Sequence, residues 1–122
     1  NIPEDADLVP MIDDRRMEVY SAVFNLKNEF ISEVKAEVID ENSYKDLLDE
    51  RSVFFLGNGA EKCKGIINHA NATFVNNLDV SAVNMITLSQ GQFRNNFFED
   101  VAYFEPFYLK DFRATTPKKG LL

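Results

Sequence analysis

The chain has 122 residues, a formal net charge of -7 and a pI near 4.6. Non-specific binding to nucleic acid or to an anionic membrane depends on clustered Lys and Arg, so this acidic balance argues against both. The length suits one hydrophobic core, and the 11 Phe residues predict that a single domain over residues 1–122 has a phenylalanine-rich core.

Cysteine usage and hydropathy indicate the cellular setting. Cys63 is the only cysteine, which excludes an intrachain disulfide and a cysteine-based metal cluster and favours a reducing, cytoplasmic location. No apolar run approaches the roughly 20 residues that span a bilayer, and the chain does not open with a secretion signal. Asn1 in place of Met predicts that the sequence is a piece of a longer protein.

The first third of the chain is predicted to form three strands in an antiparallel meander. Residues 8–12 make a short apolar strand, in which Pro10 is tolerated near the start or on an edge. After a turn at 13–16, a second strand follows at 17–26. The third strand, at 30–39, alternates apolar and charged residues, as antiparallel strands near a sheet edge do. The residues predicted to share its apolar face are Phe30, Ser32, Val34, Ala36 and Val38.

A short helix and a buried strand are predicted next. Ser43 and Asp46 have the spacing of a capping box at the start of a helix that ends near Glu50. Residues 53–56 are apolar without alternation, which indicates a strand covered on both faces in the middle of a sheet. A helix predicted after the following glycine turn has one apolar stripe, formed by Ala60, Cys63, Ile66 and Ile67.

A second parallel strand and a long helix are predicted after residue 70. Residues 72–75 are apolar, and a crossover of this length places them parallel to 53–56 with a right-handed connection. The long helix is placed at 80–96, with Asp79 or Ser81 as its cap. Its apolar stripe is wider than one sheet face needs, so we expect part of this stripe to contact a second domain.

The chain is predicted to end in irregular structure. Residues 101–109 are aromatic and interrupted by Pro106, which indicates an extended arm rather than a sheet strand, and residues 113–122 are expected to fray. The element order β-β-β-α-β-α, with three antiparallel strands followed by two parallel ones, resembles one lobe of the ribonuclease-H-like, actin-type ATPase fold. This resemblance implies an α/β fold with a five-stranded mixed sheet of order 3-2-1-4-5.

Three carboxylates fall within six residues and form the first candidate site. Asp13, Asp14 and Glu18 have the chemistry of a metal site or of an acid/base pair. Arg15 and Arg16 lie beside them and would neutralise much of the field that a cation needs. A turn with surface ion pairs is therefore the favoured interpretation, and no metal is expected.

The glycine turn is the second candidate site. Gly57, Asn58 and Gly59 open a helix, where exposed amides can hold a phosphate. The turn lacks both the spacing of a dinucleotide fingerprint and the Lys-Ser/Thr of a P-loop, so a plain strand-to-helix turn is favoured. In the actin-type fold this turn faces the cleft between two lobes, which leaves phosphate binding as an open alternative.

The remaining reactive residues favour structural roles. His69 is the only histidine and is predicted to lie near a helix C-terminus, where it stabilises the helix end. A two-histidine zinc motif is excluded, and the elbow sequence of a Ser-His-Asp hydrolase is missing. Cys63 is predicted to be a buried thiol, and the glycosylation pattern at 71–73 is attributed to chance.

Three separated segments resemble one protein family. PMIDDRRMEVYSAVF at 10–24, FLGNGAEK at 55–62 and EPFYLKDF at 105–112 are similar to the second half of the TsaB (YeaZ-like) proteins, also called glycoprotease-like. The positions that match the family's motifs are Asp13, Arg15, Glu18, Tyr20, Gly57, Gly59, Pro106, Tyr108 and Leu109. Asp14 stands where the family usually has a small residue, and Lys110 stands in place of Arg.

The resemblance implies a bacterial, non-catalytic scaffold subunit of the machinery that installs threonylcarbamoyladenosine in tRNA. Such a subunit pairs with a TsaD-type catalytic subunit and a TsaE-type ATPase, and it often forms a homodimer. The resemblance implies that an amino-terminal lobe makes most of the contacts with the TsaD-type subunit and the TsaE-type ATPase. The present chain would then be the carboxy-terminal lobe alone. It implies no cofactor, no direct contact of this lobe with nucleic acid and no membrane partner, and the protease label has no support in a chain with one histidine.

Two other functions remain open at the level of sequence. The chain could be the nucleotide-binding or phosphate-binding lobe of an active actin-type ATPase, with Gly57–Gly59 as its site. It could also be an acidic protein-interaction domain unrelated to tRNA. The exposed half of the helix at 80–96 and the arm around Tyr108 are the candidate binding surfaces, and core packing is the competing explanation for their apolar residues.

Overall fold

The computed structural model describes residues 2–111, which contain five strands and three α-helices. The strands are β1 (Asp7–Asp13), β2 (Glu18–Asn25), β3 (Phe30–Val38), β4 (Val53–Leu56) and β5 (Ala72–Phe74). The helices are α1 (Lys45–Glu50), α2 (Ala60–Cys63) and α3 (Met85–Arg94), and a 3-10 turn at Ala82–Asn84 leads into α3. The tail predicted at 113–122 lies outside the described residues.

All five strands belong to one mixed sheet of order β3-β2-β1-β4-β5. The first three strands are antiparallel neighbours, whereas β4 is parallel to both β1 and β5. The predicted α/β class, strand order and strand directions are therefore confirmed. The two parallel pairings follow from connections that each contain a helix, since parallel strands need such a crossover.

Strand β4 lies between two neighbours, as predicted, but only one of its faces is fully buried. Val53 and Phe55 are completely inaccessible, whereas Phe54 and Leu56 are half-buried. The prediction that both faces are covered is therefore wrong for the described residues. Helices α1 and α2 supply Leu48, Cys63 and other residues to a single core cluster on the first face.

Pro10 lies inside the central strand, contrary to the prediction of a strand start or an edge. Strand β1 pairs with β4 on one side, where Pro10 is opposite Leu56. On the other side, the pairing with β2 covers Asp7 and Leu8, stops after Leu8 and resumes at Met11. A proline has no N–H to donate, so the sheet accommodates it where the ladder to β2 is interrupted.

The face prediction for β3 is wrong at Ser32. The register between β2 and β3 shifts on both sides of Val23, which is opposite Ser32, and Phe24 is opposite Phe30. The Val23 N–H donates a hydrogen bond to Ser32 Oγ at 3.1 Å. A register shift of this kind inserts an extra residue and reverses the alternation, so Ser32 lies on the Val23 face and Phe30 on the opposite one.

Helix α1 begins without the predicted capping box. Tyr44, at the N-cap position, has a left-handed backbone conformation with φ of 61° and, among the described residues, makes no side-chain cap. Ser43 Oγ instead accepts a hydrogen bond from the Asp40 N–H at 2.9 Å. The serine therefore closes the turn before the helix, because a Ser hydroxyl can bond to a nearby backbone amide instead of capping a helix.

The third helix is shorter than predicted and does not join the core. It starts at Met85, after Ser81 accepts a hydrogen bond from Val83 within the 3-10 turn, and it ends at Arg94. Ser81 rather than Asp79 is thus the cap. No residue of α3 is buried. The helix at 60–67 is also shortened, to the four residues of α2, although Ala60, Cys63 and Ile67 are buried as predicted.

Candidate functional site

The candidate site is the turn between β1 and β2, because all three segments that resemble the TsaB-like family meet there. The turn is closed by the Asp14 N–H, which donates to the Glu18 carbonyl at 3.1 Å, and by Arg16 in a left-handed conformation with φ of 55°. Lys62 approaches it from α2 and Lys110 from the end of the described chain. Residues separated by up to 96 positions in sequence are therefore in direct contact.

Lys62 is bound to the backbone of the turn. Its ammonium donates hydrogen bonds to the carbonyl oxygens of Asp14, Arg16 and Glu18, at 3.1, 2.7 and 2.6 Å. It also forms an ion pair with the Asp13 carboxylate. The three carbonyls that converge on one ammonium fix the conformation of the turn, since hydrogen bonds from a charged donor are stronger than neutral ones.

Lys110 neutralises the outer side of the same turn. Its ammonium lies 2.5 Å from Asp14 Oδ2 and 2.6 Å from Glu18 Oε2, and 5.2 Å from the centre of the Tyr20 ring. The hydrogen bond from Lys110 lowers the pKa of Asp14 below its usual value, and the two carboxylates raise the pKa of Lys110. Lys110 therefore connects the arm to the sheet through charge.

The glycine turn fits tightly against β1. Gly57 has φ of 94°, and a side chain there would place Cβ 2.5 Å from the Met11 carbonyl oxygen. Gly59 is similarly close to β1 and donates its N–H to the Met11 carbonyl at 3.0 Å. Asn58 Oδ1 accepts a hydrogen bond from the Asp13 N–H at 3.0 Å. The two glycines are thus explained by close approach to the strand that carries the acidic turn.

The charges of the turn are paired, which determines what it can do chemically. Within residues 2–111 no group of three or more His, Cys, Asp or Glu side chains is arranged to hold a metal ion. The predicted neutralising residues, Arg15 and Arg16, are exposed, and Lys62 and Lys110 take that role instead. Sequence reasoning missed both lysines as site residues, although Lys62 and Lys110 each belong to a segment that resembles the family. These paired charges hold the turn between β1 and β2 against α2 and the end of the described chain, and we call this set of contacts the structural joint.

A cavity of about 450 Å³ lies beside the glycine turn, at the C-terminal ends of β4 and β5. Its lining includes Gly57, Asn58, Glu61 and Asp79. Such a position is where ligands bind in open α/β sheets. The two acidic residues oppose an anion, however, and the four-residue helix α2 provides little dipole, so the cavity gives no particular support to phosphate binding.

The other reactive residues are engaged in structural contacts. His69 lies beyond α2 rather than at its end: Nδ1 accepts a hydrogen bond from the Asn71 N–H, and Nε2 donates to Asp49 Oδ1 at 3.2 Å. It thus connects α1 to the start of β5. Cys63 is buried and donates from Sγ to the Gly59 carbonyl, and burial raises the pKa of its thiol.

The arm, residues 101–109, is joined to the turn through the adjacent Lys110. Lys110 reaches the turn, and the neighbouring Leu109 is half-buried, whereas Tyr108 is exposed. Pro106 is also exposed, and Phe112 of the third segment lies outside the described residues. Residues 2–111 include no helix with the length and hydropathy to cross a membrane.

Comparison with known proteins does not decide between the candidate functions. The sequence matches no family model, and a search of curated proteins returned no match.

Proposed function

We propose that this chain is the carboxy-terminal lobe of a TsaB-like scaffold subunit, which supports a TsaD-type catalytic subunit in the synthesis of threonylcarbamoyladenosine on bacterial tRNA. In this proposal the lobe is cytoplasmic, binds no cofactor and performs no catalysis. Contacts with the TsaD-type subunit and the TsaE-type ATPase are made mainly by an amino-terminal lobe.

The observation that supports the proposal is the meeting of the three family-like segments at the turn between β1 and β2. Segment 10–24 contains the turn, segment 55–62 contributes Asn58 and Lys62, and segment 105–112 contributes Lys110. Their meeting at one turn supports the proposal that the three segments form one structural unit.

The sheet adds weaker support. An order of β3-β2-β1-β4-β5, with three antiparallel strands followed by two parallel ones, is what we expect of a lobe of the ribonuclease-H-like, actin-type ATPase fold. Many functions occur on this fold, so the strand order supports the fold family of the proposal rather than the role in tRNA modification.

The proposal is tested by comparing the full-length protein with the 122-residue chain in cells and in a pull-down. In bacteria depleted of their own TsaB-type subunit, the full-length protein containing this lobe should restore threonylcarbamoyladenosine, as measured by mass spectrometry of tRNA nucleosides, and the 122-residue chain should not. The full-length protein should also capture the TsaD-type subunit in a pull-down. Equal capture by the short chain would contradict the assignment of the interface, and failure of the full-length protein in both assays would contradict the function.

An active nucleotide-binding lobe is the competing function, and the observation in its favour is the position of the cavity beside Gly57, although its acidic lining opposes an anion. Its acidic lining, Glu61 and Asp79, would require a cation to accompany any nucleotide. Calorimetry with ATP and Mg²⁺ separates the two functions. The scaffold proposal expects no heat of binding at micromolar protein, and micromolar affinity would favour the ATPase.

A further inference from the structure

One face of the sheet is apolar, and residues 2–111 leave it uncovered. The large apolar residues exposed on this open sheet face, at 42–67% of their surface, are Ile12, Phe30, Val34 and Val38. In the register of the sheet, three of them are opposite Tyr20, Phe24 and Glu18 of β2, all on the face away from α1 and α2. An exposed apolar patch of this kind usually marks a surface that another segment or another molecule covers.

The described part of the chain ends beside this face. The Lys110 ammonium lies 2.6 Å from Glu18 Oε2 and 5.2 Å from the centre of the Tyr20 ring, and both of these side chains belong to the open sheet face. Leu109 is half-buried, so the backbone approaches the sheet at this point. The residues that follow Asp111 therefore start close to one end of the face.

Residues 112–122, FRATTPKKGLL, differ in charge from the rest of the chain, and we call them the basic segment. The segment has no acidic residue and three basic ones, Arg113, Lys118 and Lys119. The chain has 13 Lys and Arg and 20 Asp and Glu, so residues 1–111 have 10 basic and 20 acidic residues and a formal net charge of -10. The large apolar side chains of the segment lie at its two ends, at Phe112, Leu121 and Leu122.

The open sheet face is acidic at both ends. Asp14 and Glu18 lie at the end that the described chain reaches. Glu29, which precedes Phe30 in the sequence, lies at the other end. The two ends are separated along β2 by the distance from Glu18 to Phe24, which is about 20 Å at the usual rise of a strand. Opposite charges therefore favour contact between the basic segment and both ends of this face.

The basic segment is long enough to cross the face. Its eleven residues span up to about 36 Å when they are extended, which is almost twice the distance between the acidic ends. Arg113 and Lys118 are five positions apart, or about 17 Å in an extended chain, which is close to that distance. The segment can therefore pair with both acidic ends at once.

We propose that residues 112–122 of the same chain cover the open sheet face. Their apolar side chains contact its four exposed apolar residues, and their basic side chains lie at its acidic ends. Helix α3 is less suited to this face in charge, because residues 76–111 include five acidic and two basic residues. The proposal does not depend on the role in tRNA modification, and a protein that binds the face would have to displace the basic segment.

The covalent connection at residue 111 means that a weak contact is sufficient. A short connection between two interacting parts gives an effective concentration on the order of millimolar. A contact with a dissociation constant of about 1 mM would then be occupied about half of the time. Salt shortens the Debye length from about 10 Å at 0.1 M to about 3 Å at 1 M, so the contact should weaken as salt rises. A contact made by apolar burial alone should not.

A nitroxide attached to the complete 122-residue chain through Gly120→Cys tests the proposal. Cys63 is buried, so the reagent is directed to the new thiol. The nitroxide broadens the NMR signals of nearby methyl groups. Those of Ile12, Val34 and Val38 should lose at least about half of their intensity, and those of Ile67, in the core on the opposite face, should lose far less.

Two variants of the labelled chain should restore these methyl signals. Lys118→Glu/Lys119→Glu removes the attraction to the acidic ends, and Leu121→Asp/Leu122→Asp removes the apolar contact, so each should recover at least about half of the lost intensity. Thr115→Ser, within the same segment, is the matched control and should leave the broadening unchanged. An ionic strength of about 1 M should act as the first variant does.

Each other outcome overturns the proposal. Full intensity at Ile12, Val34 and Val38 in the labelled chain would mean that the basic segment does not cover the face. Broadening at Ile86 and Leu88 alone would place the segment on α3. Broadening that neither the variants nor salt reduces would reflect the covalent connection alone. An isotope-labelled chain mixed with a nitroxide-labelled chain should show no broadening, and broadening there would mean that the contact forms between two molecules.

Discussion

Two regions of this chain are similarly apolar but differ in what surrounds them. In the core region, residues 6–75, Phe55 is completely buried between the rings of Tyr44 and Phe74, at centroid distances of 5.3 and 5.0 Å. In the distal segment, residues 76–111, Phe97 is 70% exposed. Apolar periodicity shows that a surface needs a partner, but it does not show whether the same chain provides one.

The largest expected difference between the regions comes from truncating a phenylalanine in each. Phe55→Ala should lower the free energy of unfolding by about 3–5 kcal/mol, because it removes a buried ring and leaves a cavity. Phe107→Ala, at an exposed position in the distal segment, should change it by no more than about 0.5 kcal/mol. Urea denaturation followed by circular dichroism measures both. Equal losses would show that the distal segment belongs to the core.

Glycine substitution should also destabilise the core region more than the distal segment. Gly57→Ala forces a left-handed conformation on alanine and a contact with the Met11 carbonyl, so we expect a loss of about 2–3 kcal/mol. Gly91 lies within α3 and has no described atom within 4 Å of an added Cβ, so Gly91→Ala should leave the core unchanged and raise helix content. Thermal melts of the two variants would conflict with this account if Gly91→Ala were the less stable.

Loss of Lys62 should release the acidic turn. Lys62→Met removes hydrogen bonds to three carbonyls and the ion pair with Asp13, so we expect a loss of about 1–2 kcal/mol. The matched control is Lys64→Met, two residues along, where the side chain is exposed and the effect should be near zero. Hydrogen exchange should show faster opening at residues 13–18 in the first variant only. Unchanged protection there would contradict the proposed joint.

Asp7 should make the core region less stable at neutral pH. Its carboxylate is buried, and Oδ2 has no hydrogen-bond partner among the described residues. Burial raises its pKa above 3.8, although nearby Arg51 opposes the shift. A carboxyl whose folded pKa is raised destabilises the fold once it ionises, so Asp7→Asn should be more stable than the native chain at pH 7. The difference should shrink as the pH falls through the raised pKa, which urea titrations across pH would show, and a constant difference would refute it.

The smallest expected effect concerns Lys110, which joins the distal segment to the turn. Lys110→Met should return the pKa of Asp14 toward its ordinary value, because the hydrogen bond from Lys110 is the main cause of its depression. Carbon-detected NMR titration measures this pKa. A carboxyl with a lowered folded pKa contributes stability above its unfolded pKa and loses it as pH falls through the folded value, so acid should also release the arm. Lys27→Met, in the exposed turn after β2, is the control, and an unchanged Asp14 pKa in Lys110→Met would disprove the contact.

The errors of the sequence-based prediction share a physical cause. The capping box at Ser43, the common face that included Ser32 and the edge position of Pro10 all depended on local spacing. A different contact decides each case. Ser43 bonds to the Asp40 amide, the register shift between β2 and β3 changes the face of Ser32, and Pro10 lies where the pairing of β1 with β2 is interrupted. The sequence predicts a turn at 13–16, but the lysines that neutralise its acidic residues and Glu18 lie 44 to 96 residues away.

Local patterns in the sequence determined the class of the fold and the directions of the strands, and the likeness of the element order to a known fold supplied the order of the strands. Alternation, glycine turns and crossover length are local properties of the chain, and they left few topologies open. Only the tertiary structure decided that Lys62 and Lys110 meet at one turn and that residues 2–111 leave one sheet face open. Those facts depend on distances between remote residues, which no local pattern encodes.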